Sequence, residues 1–345
     1  MKYLYDIAVM RPIIILLVVI YHSFAVYAGV WAPVEGLQQI PAYLWICKFA
    51  GGFHIEGMAF IAGYVYAFQC LSLNKRQAFS VFTKKKAKRL LIPNIIFSLL
   101  YYFLFHFDAQ DFNILRFLLE IFSGSGHMWY LPMLFWCFVI LWIIDKYYPT
   151  KDWLMLVLLA LISIIPIPYI PFGLQRMPHF LFYCYLGYWL YEKHDAIQPR
   201  ITRPLITTLW ILYLLLCSIA IINVSPLNVL TSSSLISKLS FYTLNGMLGL
   251  FIACSGLMAL YSTIELVSNK QTNKPQVHIC RASNLSFGVY LCHQFILIRL
   301  YRHTYLLEYV GSYWFPWIGL IISLIGSVFI THLALKTRFG EFLLG

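Results

Sequence analysis

Long runs without charge constrain this chain more than any other feature of its sequence. A helix needs about 20 mainly apolar residues to cross the hydrocarbon of a bilayer. About ten segments meet that need: 8–30, 42–70, 90–107, 128–145, 153–171, 178–192, 205–223, 240–262, 283–302 and 313–335. The second is long enough to tilt, to kink at Gly51-Gly52 or to lie partly outside the lipid, and the sixth is short. Only 11% of the 345 residues are charged and 61% are hydrophobic, whereas an ordinary soluble domain is about 25% charged. So few charges cannot cover a globular surface. A soluble enzyme, a disulfide scaffold, a disordered chain and a nucleic-acid binder all fit poorly. The fold class is all-α: a polytopic membrane protein of about ten transmembrane helices in a lipid bilayer, with one membrane domain filling residues 1–345.

The net charge of +12 suggests nucleic acid until the basic residues are placed. With an even number of spans and both termini cytoplasmic, the inner segments hold Lys2, Lys75, Arg76, Lys84, Lys85, Lys86, Lys88, Arg89, Lys146, Lys151, Lys193, Arg200, Arg203, Lys270, Lys274, Arg281, Lys336 and Arg338. The outer loops hold Arg116, Arg176, Lys238 and Arg302, while Arg11, Lys48 and Arg299 fall within spans. That asymmetry is the positive-inside pattern. The first run could also serve as a cleaved signal peptide, with Val26-Tyr27-Ala28 as its cleavage site, but its polar residues argue for a retained helix. None of the eight cysteines pairs at CxxC spacing and most lie in apolar runs, as buried small hydrophobes do, so no metal site or disulfide framework is expected.

An ionisable side chain inside a span costs a few kcal/mol, so each is a functional candidate. Arg11 and His22 lie eleven residues apart on the first helix, about 20° from three full turns and about 16 Å along the axis. They share a face, with Arg11 near the cytoplasmic end and His22 near or beyond mid-membrane. Snorkelling and packing account for each alone; the common face favours a shared cavity, an anion held at the mouth and a proton handled deeper in. The second span adds Lys48, His54 and Glu56 around Gly51-Gly52. His54 and Glu56 point about 200° apart on a helix and do not pair unless it breaks. Lys86 and Arg89 sit one turn apart before Pro93 in a basic segment. That segment serves topology and suits a polyphosphorylated ligand such as the nucleotide end of coenzyme A. At the outer face, His127 precedes Trp129 and Tyr130, which fit an aromatic belt or a sugar-stacking platform. His293 lies inside the ninth span. No Walker loop, GxSxG or HExxH occurs, and no aspartate is placed deep in a span, which weighs against a carboxylate-coupled transporter.

In order along the chain these motifs resemble the acyltransferase-3 family of integral membrane acyltransferases. The resemblance rests on Arg11 and His22, on His54 through Gly63-Tyr64, on Lys86 to Pro93, on His127-Met128-Trp129-Tyr130-Leu131 and on Tyr290 to His293. Ala62, Glu56 and Lys86 depart from the family's usual serine, proline and first arginine. The resemblance implies transfer of an acyl group, usually acetyl, from cytosolic acyl-CoA to a hydroxyl of a cell-surface polysaccharide or lipid-linked sugar. Acetyl-CoA is then a co-substrate and no cofactor is bound. His22 becomes the base or, through an acetyl-histidine, the nucleophile. Arg11, Lys86 and Arg89 hold the coenzyme's phosphates, and His54, Glu56, His127, Trp129 and His293 line the acceptor cavity. It also implies a bacterial inner membrane. A glycolipid or anionic-sugar transporter or flippase would use the same basic mouth and histidines without a covalent product.

Overall fold

The computed structural model describes residues 4–148, 153–222, 235–268, 277–302 and 305–344, with the side chains of 235–240 not described. Lys2, Lys151, Lys270 and Lys274 lie outside these residues. The described secondary structure is helical: α1 Tyr5–Ser23, α2 Pro41–Gly51, α3 His54–Ala67, α4 Phe79–Phe105, α5 Ile114–Ser123, α6 Tyr130–Tyr147, α7 Trp153–Ser163, α8 Met177–Glu192, α9 His194–Ile197, α10 Arg203–Ile222, α11 Leu235–Ser268, α12 Val277–Arg302, α13 Tyr305–Ala334 and α14 Arg338–Leu344.

Among the described residues, six helices are both long and apolar enough to cross a membrane: Tyr5–Ser23, Phe79–Phe105, Gly126–Tyr147, Arg203–Ile222, Phe241–Ser268 and Tyr305–Ala334. The other four expected segments take different forms. The run 42–70 is two helices, because α2 ends at Gly51 and α3 starts at His54. The segment 153–171 is helical only to Ser163; Pro166 and Pro168 follow, and proline disfavours helix at the residue before it. Eleven residues rise about 16 Å, roughly half the hydrocarbon thickness. The segment 178–192 is the sixteen-residue α8. The segment 283–302 lies in the 26-residue α12, long enough to cross but studded with Arg281, Asn284, His293, Gln294, Arg299 and Arg302.

The helices form two compact units. The first comprises 1–55, 201–224 and 251–345. Here α1 packs on α2, α12 and α13, α12 on α13, and α2 on α10. Its core joins Phe24, Tyr27, Tyr43, Tyr301 and Phe315, with Phe24 and Tyr27 edge-on to Tyr43 at 5.1 and 5.0 Å. Inside lipid, apolar burial drives little, so packing and hydrogen bonds decide. One such bond follows directly from the sequence. Pro316 has no N–H to give the carbonyl of Ser312 four residues earlier, and the Tyr27 hydroxyl donates to that carbonyl instead, at 2.6 Å. The chain also leaves helical geometry at Gly311, whose φ is +69°.

The break after α2 is built the same way. A Cβ on Gly51 would stand 2.7 Å from a Tyr21 ring carbon, and one on Gly52 would stand 2.9 Å from Tyr213 Cε2. Tyr213 donates its hydroxyl to the Phe49 carbonyl, one of the last four carbonyls of a helix that have no partner within it.

The second unit comprises 56–200 and 225–250. In it α6 packs on α4 and α8, α7 on α8, and α4 on α5. Two glycines let α3 and α8 meet backbone to backbone: a Cβ on Gly63 would fall on the Cys184 carbonyl, and one on Gly187 on the Phe60 carbonyl. Asp145, in the last turn of α6, is buried and accepts from Tyr188 at 2.6 Å, Tyr66 at 3.4 Å and Arg76 at 3.4 Å. It stands at the end of the expected fourth span rather than deep within it, where two tyrosines and an arginine solvate it. The carboxylate in turn raises the proton affinity of Arg76. The ten-residue α5 exposes Ile114, Leu115, Leu118 and Phe122 along one stripe, as interfacial helices do. Cys47, Cys70, Cys137, Cys184, Cys217 and Cys292 are buried and outside any disulfide.

Candidate active site

In the first unit, Arg11 and His22 of α1 both face α12. Arg11 Nη1 donates to Ser283 Oγ at 3.2 Å, and His22 Nδ1 lies 3.2 Å from His293 Nε2. Residue numbers rise together in the two pairs, so α1 and α12 run parallel. Eleven residues on one helix match ten on the other, each close to three turns. The shared face expected of Arg11 and His22 is therefore the face that α12 covers.

His22 is 9% exposed. Its Nδ1 also faces the Val18 carbonyl at 2.9 Å. Aromatic rings enclose it: Tyr21 at 5.2 Å, Trp31 at 5.7 Å and His293 at 5.0 Å. His54 is buried at the start of α3, with Nδ1 2.9 Å from the Gly51 carbonyl and its ring 4.5 Å from Tyr21. His22, His54 and His293 thus sit in one aromatic cluster joined through Tyr21. His293 is fully buried, with Nδ1 2.7 Å from the Tyr290 carbonyl and 3.1 Å from that of Val289.

The remaining candidates belong to the second unit. Lys86 does not turn outward with Arg89. Its ammonium lies 3.5 Å from the centroid of Phe138, with Phe82 at 5.5 Å, a cation held on the negative faces of two rings. Arg89, one turn on, is exposed. Glu56 accepts from His179 Nε2 at 3.4 Å, and its other carboxylate oxygen is buried with no hydrogen-bond partner. His127 is buried in the short 3₁₀ turn Gly126–Trp129. That turn is tied to α4, because Ser125 N donates to Ser98 Oγ at 3.0 Å. Trp129 stacks under the Arg176 guanidinium, 3.9 Å from the ring. Partial burial there lowers the proton affinity of Arg176, though a guanidinium keeps its charge.

Arg176 and His179 line one groove of about 630 Å³ with Gln175, Phe180 and Tyr242. Of these lining residues, Arg176 contacts Trp129 and His179 contacts Glu56. Sequence reasoning missed Arg176, His179, Trp31 and Asp145 as members of these clusters. His179 had a usable signal, since it is an ionisable residue inside an expected span. Trp31 had none, because nothing in a loop tryptophan says which ring it will approach.

An acyltransferase-domain family model, that of acyltransferase-3, matches residues 4–335, nearly the whole chain. No curated protein and no solved structure matches the chain. The matched span takes in both units, the Arg11–Ser283 and His22–His293 contacts and the groove, and the chain belongs to the acyltransferase-3 family.

Proposed function

We propose that this integral membrane acyltransferase moves an acetyl group from cytosolic acetyl-CoA to a hydroxyl of a cell-surface polysaccharide or lipid-linked sugar. Its setting is a bacterial inner membrane, with ten spans and both termini inside. The observation that carries the reading is the pair of α1 residues held on one face: an arginine one end of the helix offers to phosphate, and three turns deeper a histidine with Nδ1 against a carbonyl. A carbonyl at 2.9 Å calls for an N–H, so neutral His22 keeps its lone pair on Nε2.

A sugar hydroxyl is a poor nucleophile at neutral pH and needs a base. His22 Nε2 takes the hydroxyl proton as the oxygen attacks the thioester carbonyl. A C–O bond forms, the C–S bond breaks, and the thiolate takes the proton back from His22. Arg11 supplies charge for the coenzyme's phosphates, as do Lys86 and Arg89, with Arg89 the better placed because it is open to solvent. For the acceptor, the groove beside Trp129, Arg176 and His179 offers stacking and polar contacts suited to a sugar. Parallel α1 and α12 support the topology, since the first and ninth of ten spans cross in the same sense.

The test is thiol release from acetyl-CoA by the purified protein, wild type against His22→Ala, with a glycan acceptor supplied. Turnover lost in the variant while acetyl-CoA still binds supports the reading. Wild-type protein that neither binds nor consumes acetyl-CoA refutes it and leaves a transporter of glycolipid or anionic sugar.

A further inference from the structure

His293 cannot serve as an acceptor contact while its surroundings are those of the structure. It is fully buried, and its own carbonyl is held by Ser323 Oγ at 3.0 Å. Its Nδ1 points at two backbone carbonyls, of Tyr290 and Val289. Only an N–H is stable there, so the neutral ring carries its proton on Nδ1 and its lone pair on Nε2. That lone pair lies 3.2 Å from His22 Nδ1, which also faces the Val18 carbonyl and so carries a proton too. The two rings fit in one arrangement: the Nδ1–H of His22 is shared between Val18 and His293, and Nε2 of His22 is the basic nitrogen.

We infer that His293 is a positioning residue for the acyl transfer, acting through His22; this rests on His22 being the base. It does two things. Together with Val18 it selects the tautomer whose lone-pair nitrogen is Nε2. It also accepts a hydrogen bond that strengthens when His22 becomes an imidazolium, because bonds from a charged donor are about twice as strong as neutral ones. An interaction stronger in the transition state than in the ground state raises kcat. The proton stays on His22. Moving it to His293 would leave the His22 Nδ1 lone pair facing the Val18 carbonyl at 2.9 Å.

Two isosteres separate this role from mere packing. A glutamine amide reaches the place of Nε2 and can present its oxygen to His22, whereas an asparagine amide reaches only the place of Nδ1. In the full-length protein assayed with acetyl-CoA and a glycan acceptor, His293→Asn is expected to lower kcat roughly ten- to a hundredfold with KM for acetyl-CoA kept. His293→Gln is expected to recover to within about threefold of wild type. Independently of whether either variant folds, ¹⁵N-histidine spectra of the wild type should show neutral His22 protonated at Nδ1. Wild-type kcat in His293→Asn overturns the inference, as does equal loss in the two variants or a neutral His22 protonated at Nε2. Full turnover in His22→Ala instead overturns the base assignment itself, so the two failures are distinguishable.

Discussion

Arg11 and Asp145 are both charged groups in apolar surroundings, yet they should answer differently to removal. A phosphate contact made equally in ground and transition states affects KM alone, and a charged hydrogen bond is worth about 1.5–3 kcal/mol. Arg11→Ala should therefore raise KM for acetyl-CoA about ten- to a hundredfold with kcat within a few-fold, as steady-state kinetics will show; a fall in kcat at constant KM would count against phosphate binding. Asp145 is held by Tyr66, Tyr188 and Arg76 and should affect stability. Asp145→Ala removes the acceptor that the hydroxyls of Tyr66 and Tyr188 share and should cost about 1–3 kcal/mol in denaturation. Arg76→Ala should cost close to nothing, because that side chain is 59% exposed. At this scale the sequence was partly legible. An ionisable residue in an apolar run flags itself, which exposed Arg11, His22, His54, Glu56 and His293. Who meets whom did not show. Ser283 and His293 lie some 270 residues from Arg11 and His22, and no local pattern links positions so far apart. For Lys86, helix spacing sets the direction of the Cβ, while Phe138 from another helix decides where the ammonium ends.

Among the helices, glycine carries opposite meanings at different sites, and substitution separates them. Alanine is favoured over glycine in a helix by about 1 kcal/mol. At Gly63 and Gly187 the added Cβ would land on a backbone carbonyl that cannot move aside, and such overpacking costs about 1–3 kcal/mol or more. Gly63→Ala and Gly187→Ala should each lower the melting temperature. Gly249→Ala, where a Cβ meets nothing within 4 Å, should leave it unchanged or raise it slightly. Equal behaviour of the three in a thermal-unfolding assay would refute the close contact of α3 and α8. Helix existence was the most readable level, since apolar length and proline placement mark α1, α4, α6, α10 and α13. The break at Gly52 was readable only as a kink, because the tyrosines that occupy the space come from α1 and α10. α12 is less apolar than the other expected spans because it carries the polar residues that face α1.

For the whole chain, the charge asymmetry makes a directional prediction. Lys75→Cys should react with a membrane-impermeant thiol reagent only from the cytoplasmic side, and Arg116→Cys only from the outer side, in intact cells against inverted vesicles. Six of the eight native thiols are buried, and replacing the half-buried Cys254 and Cys280 with serine lowers the background for that comparison. Reversed labelling would overturn both the topology and the assignment of Arg11 to the coenzyme side. The parallel contact of α1 with α12 has a consequence for biogenesis. Ribosomes add roughly 5–20 residues per second, and His22 and His293 are separated by 271 residues. The first helix therefore enters the membrane tens of seconds before its partner exists, with an arginine and a histidine awaiting the helix that will cover them. A chain truncated before α12 lacks the contact altogether, so the face that Arg11 and His22 share is completed only once nearly the whole protein has been made.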